Sequence, residues 1–288
     1  MSRLETNEVM GRKTDRRQTT NVLVVDVGGT HVKVYQNRQY EAREFISGPK
    51  LTPKNMVSKV RKLVADWDYD VVSIGYPGVV AHNRPVSDPW NLGKGWAGFN
   101  FEAAFKRPVK VMNDAAMQAL GSFNRGKMLF LGLGTGLGSA LIVDGIVEPL
   151  ELGHLPYRKS TFEDYVGVRG LIKHGKRKWR KYVKDVVTRL VTALEPEEVV
   201  LGGGNIHRLK QLPPLTRAGD NTNAFLGGLR LWEHNRIHKA AGVPKAGPGR
   251  ASGPVRAAAG PDASGPGQRG NRLLNPPSPH TNQKTGVL

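Results

Sequence analysis

Asn21-Val-Leu-Val-Val-Asp26-Val-Gly28-Gly29-Thr30-His31-Val-Lys-Val-Tyr35 is the stretch on which the fold turns. Its apolar run ending at Asp26 has the length and branching of a buried strand, and the glycines at 28 and 29 make a tight turn. Beyond the turn Val32 and Val34 alternate with polar residues, which is strand periodicity. The stretch is therefore a β-hairpin, not the strand followed by a helix that a dinucleotide fingerprint requires.

Working outward, Met1 to Thr20 is polar and aperiodic and is expected to be disordered. Downstream, Tyr40 to Phe45 reads as a third strand. Thr52-Pro53 supplies a cap and first-turn proline for a helix carrying Met56, Val57, Val60, Leu63, Val64 and Trp67. Asp70 to Gly75 is a further strand, ending in Tyr76-Pro77-Gly78. A loop from Val79 to Asn100 is too long and too aromatic to be a mere connector.

The pattern then restarts. Val109 to Met112 reads as strand, Asp114 to about Phe123 as helix and Met128 to Leu133 as strand. Gly134-Thr135-Gly136-Leu-Gly138 is a second glycine turn, with Ser139 to Val143 as its returning strand. Apolar positions from Trp179 to Leu194 mark a long amphipathic helix. Strand Glu198 to Leu201, Gly202-Gly203-Gly204 and a helix from Asn223 to Trp232 follow. The expected organisation is an N-terminal α/β lobe over 21–110, a C-terminal α/β lobe over 111–234, and a disordered basic Pro/Gly-rich tail over 235–288.

Charge divides along the same lines. The 288 residues hold 43 Lys+Arg against 24 Asp+Glu, a net +19, and no cysteine. Residues 235–288 contain eight Lys/Arg and one acid and the first twenty residues five bases and three acids, so 21–234 keep about +10. Absence of cysteine excludes disulfides, iron–sulfur clusters, thiolate zinc and a cysteine nucleophile. No stretch reaches the roughly 18 apolar residues of a membrane-spanning helix, and no apolar leader opens the chain, so a cytoplasmic protein is expected. Positive charge proposes a polyanion without choosing among nucleic acid, membrane surface and phosphate.

Three glycine clusters can carry chemistry, because glycine amides approach an anion closely. Gly28, Gly29 and Thr30 form one, and Gly134, Thr135, Gly136 and Gly138 the second; either is also an ordinary hairpin turn. Neither is a P-loop, since no Gly-Lys-Ser/Thr follows. Gly202, Gly203 and Gly204 end a strand where a flat ligand can approach. Asp26 faces the first turn and can hold Mg²⁺ through water, or simply cap the turn. Asp114, with Asn113, sits where a strand's C-terminal edge meets a helix, the usual site position in such sheets, or else caps that helix. Glu151 and His154 can present themselves together to a hydroxylated ligand.

In order, Asp26-Val-Gly-Gly-Thr30, Gly75-Tyr-Pro-Gly78, Asn113-Asp114-Ala115, Gly134-Thr-Gly-Leu-Gly138, Glu151-Leu-Gly-His154 and Leu201-Gly-Gly-Gly204 resemble the ROK family of sugar kinases and repressors. The resemblance covers about residues 21–233. The stretch Trp90 to Gly98 and the absence of cysteine look most like the polyphosphate glucokinase branch. It implies a two-lobed actin-like, hexokinase-type ATPase fold (ribonuclease H-like) with an interlobe cleft. In that cleft Asp114 is the base for the sugar 6-hydroxyl. Asn113, Glu151, His154 and Asn91 hold sugar hydroxyls, and the glycine turns surround the donor phosphates with Mg²⁺. Gly202 to Asn205 approach adenosine where ATP rather than polyphosphate is the donor. The small-molecule partners are thus a sugar, glucose or mannose, and polyphosphate or a nucleotide; a homodimer is compatible.

The departures are specific. The Cys-rich zinc motif of most ROK kinases is missing, so no zinc is expected. Residues 155–160 lead instead into Thr161-Phe-Glu-Asp164, a capping-box pattern. Glu163 there is a candidate for the glutamate that accompanies the zinc motif. Twenty unpatterned N-terminal residues cannot supply a repressor's helix-turn-helix. Lys173, Lys176, Arg177, Lys178, Arg180 and Lys181 form a basic run, read as a polyphosphate track or as a solvated helix face; charge alone leaves nucleic acid as a disfavoured rival. A catalytically silent sugar-binding or regulatory protein, and an ATP-only hexose kinase, are the other readings.

Overall fold

The computed structural model describes residues 20–39, 41–220 and 222–240, with side chains through residue 233. The sequence expectations for the N-terminal segment and for the tail beyond Ala240 lie outside these residues. In the first lobe the strands are β1 (Val22–Val27), β2 (His31–Gln36), β3 (Arg43–Ile46) and β4 (Val71–Tyr76). A two-residue-stranded hairpin of β5 (Val80–Ala81) and β6 (Arg84–Pro85) precedes β7 (Val109–Asn113). Helix α1 (Pro53–Leu63) begins as expected, the Thr52 hydroxyl accepting from the Asn55 amide at 3.3 Å, and α2 is Phe101–Phe105. The sheet runs β3-β2-β1-β4-β7, antiparallel on the hairpin side of β1 and parallel beyond it.

Helix α3 (Asp114–Ser122) leads into the second lobe, whose strands are β8 (Lys127–Leu133), β9 (Leu137–Val143) and β10 (Ile146–Leu150). A 3₁₀ turn at Leu152–His154 and the hairpin β11 (Pro156–Tyr157) and β12 (Ser160–Thr161) lead to α4 (Phe162–Val166) and α5 (Val168–Leu194). The described residues end in β13 (Glu198–Gly202), β14 (Thr216–Ala218) and α6 (Asn223–Ala240). This sheet runs β10-β9-β8-β13-β14, antiparallel then parallel, the same plan as the first.

Both central strands are buried on both faces, which explains why they read as unbroken apolar runs. In β1, Leu23, Val25 and Val27 pack with Met56, Val60 and Trp96, while Val22 and Val24 meet Met117 and Ala224 on the other face. In β8, Leu129, Leu131 and Leu133 face α5 through Val183 and Leu190, and Met128 and Phe130 face α3. Helices α3 and α6 thus lie between the two sheets. They approach closely: a Cβ on Gly121 would overlap the Asn223 carbonyl, and one on Gly227 the Met117 carbonyl.

Several sequence boundaries need correction. The division near Lys110 cuts through β7, which pairs with β4 and closes the first sheet; the long loop before it makes the apolar pattern restart without starting a new lobe. Helix α6 also returns to the first sheet, Ser73 Oγ donating to the Gly228 carbonyl at 2.6 Å and Trp232 Nε1 to Ser73 Oγ at 2.9 Å. It runs on to Ala240, past the expected tail boundary. Helix α5 starts at Val168, not Trp179, because Gly175 (φ +70°, ψ 158°) kinks it and breaks its periodicity. Edge strand β10, carrying Pro149, and the short β14 had no readable alternation.

Candidate active site

The β7–α3 junction builds the centre of the site. Asn113, not Asp114, caps α3: its Oδ1 accepts from the Ala116 amide at 3.0 Å, while its Nδ2 donates to the Gly78 carbonyl at 3.2 Å. That leaves Asp114 as the first helical residue, half-buried, with Oδ1 accepting from the Ala115 amide at 2.7 Å. Desolvation pushes its carboxyl up to about 7, reinforced by the charges of Asp26 and Glu151 and opposed by the helix amide. Burial likewise raises Asp26 to about 6, with Lys33 pulling it down. A carboxyl poised near neutrality suits proton abstraction at physiological pH.

A cleft of about 820 Å³ opens beside this junction, lined by Pro77 to Val79 and Ser87 to Asn91 on one side. Thr135, Gly136, Glu151, His154, Glu163 and Arg169 line the other. The structure therefore brings together Asn91, Glu151, His154 and Thr135, which the sequence singled out from distant segments. Glu163 joins them, its carboxylate occupying the space a side chain at Gly136 would fill. The glycine of Glu151-Leu-Gly-His154 is required by contact, since a Cβ there would stand 2.9 Å from the Leu137 carbonyl.

Gly28, Gly29 and Thr30 are not among the residues lining the cleft, but the first turn supports it: Gly29 backs onto the Asn91 side chain. Ser47 braces that turn, its Oγ donating to the Gly28 carbonyl at 2.8 Å. Gly134, Gly138, Gly202, Gly203, Gly204 and Asn205 also lie off the lining, as do Asp26, Asn113 and Asp114. The third cluster instead abuts the second turn. Gly203 (φ +83°) has the Leu133 backbone where a Cβ would be, and Asn205 Nδ2 donates to the Gly134 carbonyl at 3.1 Å.

The long aromatic loop is held by residues that sequence reasoning passed over. Asp88 Oδ1 accepts from the amides of Gly95, Trp96 and Ala97, which holds its pKa below the usual carboxylate range. Trp96 is fully buried and donates to the Leu51 carbonyl at 3.2 Å, whereas Trp90 is 98% exposed at the cleft. Composition cannot distinguish the two tryptophans; only packing does.

On the outer surface, Lys173, Lys176, Arg177, Lys178, Lys181 and Lys184 of α5 are exposed and Trp179, Val183 and Val187 buried, the facing expected from periodicity. Lys173 lies ahead of the Gly175 kink. Arg180 is tied down, Nε donating to the Arg208 carbonyl at 2.7 Å. Lys181, Lys184 and Lys210 line a separate groove of about 470 Å³. Where the zinc motif was missing, the Thr161 hydroxyl caps α4 by accepting from the Asp164 amide at 3.4 Å. Among the described residues no cluster of three or more His, Asp or Glu is placed to hold a metal ion, and no helix is long and apolar enough to cross a membrane.

This architecture recurs in the solved inorganic polyphosphate/ATP-glucomannokinase of Arthrobacter sp. strain KM, with a TM-score of 0.65 at 23% identity over 75% of this chain and 99% of that one. It recurs also in a ROK family glucokinase from Streptomyces griseus in complex with glucose and AMPPNP, at 0.62 and 17% over 73% and 98%. The fold is the two-lobed, actin-like one of hexokinase-type phosphotransferases. The sequence narrows this further. Residues 22–161 match the model of the ROK family. The polyphosphate glucokinase of Mycobacterium tuberculosis (strain ATCC 25618 / H37Rv) is 28% identical over 233 residues, 73% of this chain and 86% of the relative.

Proposed function

We propose that the chain is a kinase transferring the terminal phosphoryl group of polyphosphate or ATP to the 6-hydroxyl of glucose, with mannose as a second acceptor. The observation that carries this is the Asp114 carboxyl, raised to about 7 at the β7–α3 junction beside a cleft that gathers Asn91, Glu151, His154 and Thr135. Asp114 takes the sugar hydroxyl proton as the oxygen–phosphorus bond forms and the donor's bridging P–O bond breaks. Such transfer needs alignment and charge neutralisation more than covalent help. Glu151 and His154 orient hydroxyls, with Asn91 opposite them and Asn113 limited to its second amide hydrogen. The amides of the turns at Gly28–Thr30 and Gly134–Gly138 face the donor phosphates, and Gly202 to Asn205 the adenosine of ATP.

Asp26 fits a hydrated Mg²⁺ carried mainly by donor phosphates. Met117 Cε fills the space at Gly75 beside Asp26 Oδ1, so the fit rests on Asp26 standing near the end of β1 at the head of the first glycine turn, and such ions take few protein carboxylates. Bound there, the ion would neutralise phosphate charge. The exposed cations of α5, from Lys173 to Lys184 and continued by Lys210, form a track for a long polyanion that a single ATP would not need. The silent sugar-binding reading is less well supported, because Asp114 and both glycine turns are retained.

Purified protein assayed with glucose, mannose and N-acetylglucosamine against ATP and polyphosphate, with Mg²⁺, tests the proposal. Glucose 6-phosphate formation from at least one donor is expected, and its absence with every pair rejects kinase activity. Neutralising Lys176, Arg177 and Lys178 together should raise the KM for long-chain polyphosphate about tenfold and leave ATP kinetics unchanged. An unchanged polyphosphate KM would remove the track.

A further inference from the structure

Among the described residues that line the cleft, Arg169 is the one lysine or arginine, in a chain whose net charge is +19. Its cleft neighbours Asp88, Glu151 and Glu163 are acids, and the charge of Glu151 reaches the Asp114 carboxyl. A donor bringing several negative charges into such a cleft needs an opposing cation. We propose that Arg169 contacts the phosphoryl group in flight, clamping its non-bridging oxygens while the sugar oxygen attacks and Asp114 takes the proton. The proposal rests on the kinase reading and adds a residue to it.

Three features of its setting support this. The first turn of α5 is fastened to the second glycine turn: the Val168 amide donates to both the Gly134 and Thr135 carbonyls at 3.1 Å, and Gly167 packs against the Thr135 carbonyl. Arg169 is thus mounted on the turn proposed to hold the donor, next to it in space though over thirty residues away in sequence. Its guanidinium is also available. It is 67% exposed, and its contacts are Nη2 to Glu163 Oε1 at 3.2 Å and to Asp164 Oδ1 at 3.0 Å. Ion pairs this open contribute about 1 kcal/mol or less, so exchanging them for phosphate oxygens costs little. Finally, the planar fork can span two oxygens of one phosphoryl group, which a lysine cannot. In the absence of donor, Glu163 and Asp164 hold the guanidinium at the cleft's rim.

The rival is that Arg169 only staples α4 to α5. Steady-state kinetics of Arg169→Ala, Arg169→Gln and Arg169→Lys, with Asp164→Asn as the staple control, separate the two. Loss of the clamp should lower kcat/KM for both ATP and polyphosphate about 10²-fold in the Ala and Gln variants, with partial recovery in Lys and a glucose KM within about twofold. Asp164→Asn should stay near wild type. A full donor kcat/KM in Arg169→Gln, an equal loss in Asp164→Asn, or a loss confined to the glucose KM overturns the proposal. Calorimetric titration with tripolyphosphate and AMPPNP gives a readout independent of turnover. Weakening by about tenfold or more in Arg169→Gln supports the contact even for a wild-type chain that fails as a kinase, and unchanged affinity rejects it.

Discussion

Asp114 stands under opposing influences: helix α3 begins at it and favours its anion, while burial and the negative charges of Asp26 and Glu151 favour its acid, and the acid wins up to about pH 7. Two outcomes follow from the sign of that shift. As the base must be ionised, kcat/KM should fall about tenfold per unit below pH 7, and Asp114→Asn should cut kcat by 10² or more, roughly the share of a general base, while sparing the glucose KM. Substantial retained turnover would refute the assignment. Since the folded value lies above the ordinary 3.8, the fold binds this proton more tightly than the unfolded chain does. The resulting stabilisation is complete below about pH 4 and gone above pH 7. Asp114→Asn should therefore stabilise the fold at pH 8 by an amount on the order of 2 kcal/mol, seen as a higher melting temperature, and change stability little at pH 4. Equal effects at both pH values would contradict the burial argument. Asp114 was legible from its place between strand and helix, but not its role against Asn113. Either residue can cap a helix, and only the path of the backbone decides which does. Arg169 left no comparable trace and Glu163 was marked only by its place after the missing zinc motif, because what makes them neighbours of Thr135 and Gly136 is the docking of α5 and α4 onto the second glycine turn.

Among elements, hairpins were the most readable, since a two-residue period and a glycine turn are local signals. Helix α5 was half-readable: its apolar face from Trp179 onward is periodic, but its first turns precede the Gly175 kink and carry the exposed Ile172. The crossing of α3 and α6 was not readable at all. Gly121 and Gly227 lie more than a hundred residues apart and look like ordinary helix-weakening glycines, yet each faces the other helix's backbone. Gly121→Ala or Gly227→Ala must push the helices apart, at a cost of about 1–3 kcal/mol. Because α3 carries Asn113 and Asp114 at its head, the same change should lower kcat. Urea unfolding together with turnover checks this, and a variant as stable and active as wild type would show that the crossing tolerates a methyl group.

Across the molecule, the chain folds its second sheet and then sends α6 back to complete the first. Ser73, the Gly228 carbonyl and Trp232 form the join, with Lys110 Nζ over the Trp232 ring at 4.7 Å and donating to the Leu231 carbonyl at 2.6 Å. Trp232→Ala should destabilise the fold by about 3 kcal/mol in urea titration, in the range for removing a large packed aromatic. A change under about 0.5 kcal/mol, typical of a surface site, would mean the return helix contributes little. The amino-acid sequence by itself determined the two glycine-turned hairpins, the apolar strands that follow them, the order of six short motifs and the absence of thiolate chemistry, because each depends on residues adjacent along the chain. Tertiary structure alone decided that β7 closes the first sheet, that Trp96 is core while Trp90 is exposed, and that Arg169 stands at the cleft. Those outcomes depend on which surfaces the folded chain buries together, a property of contacts between distant segments that no local pattern encodes.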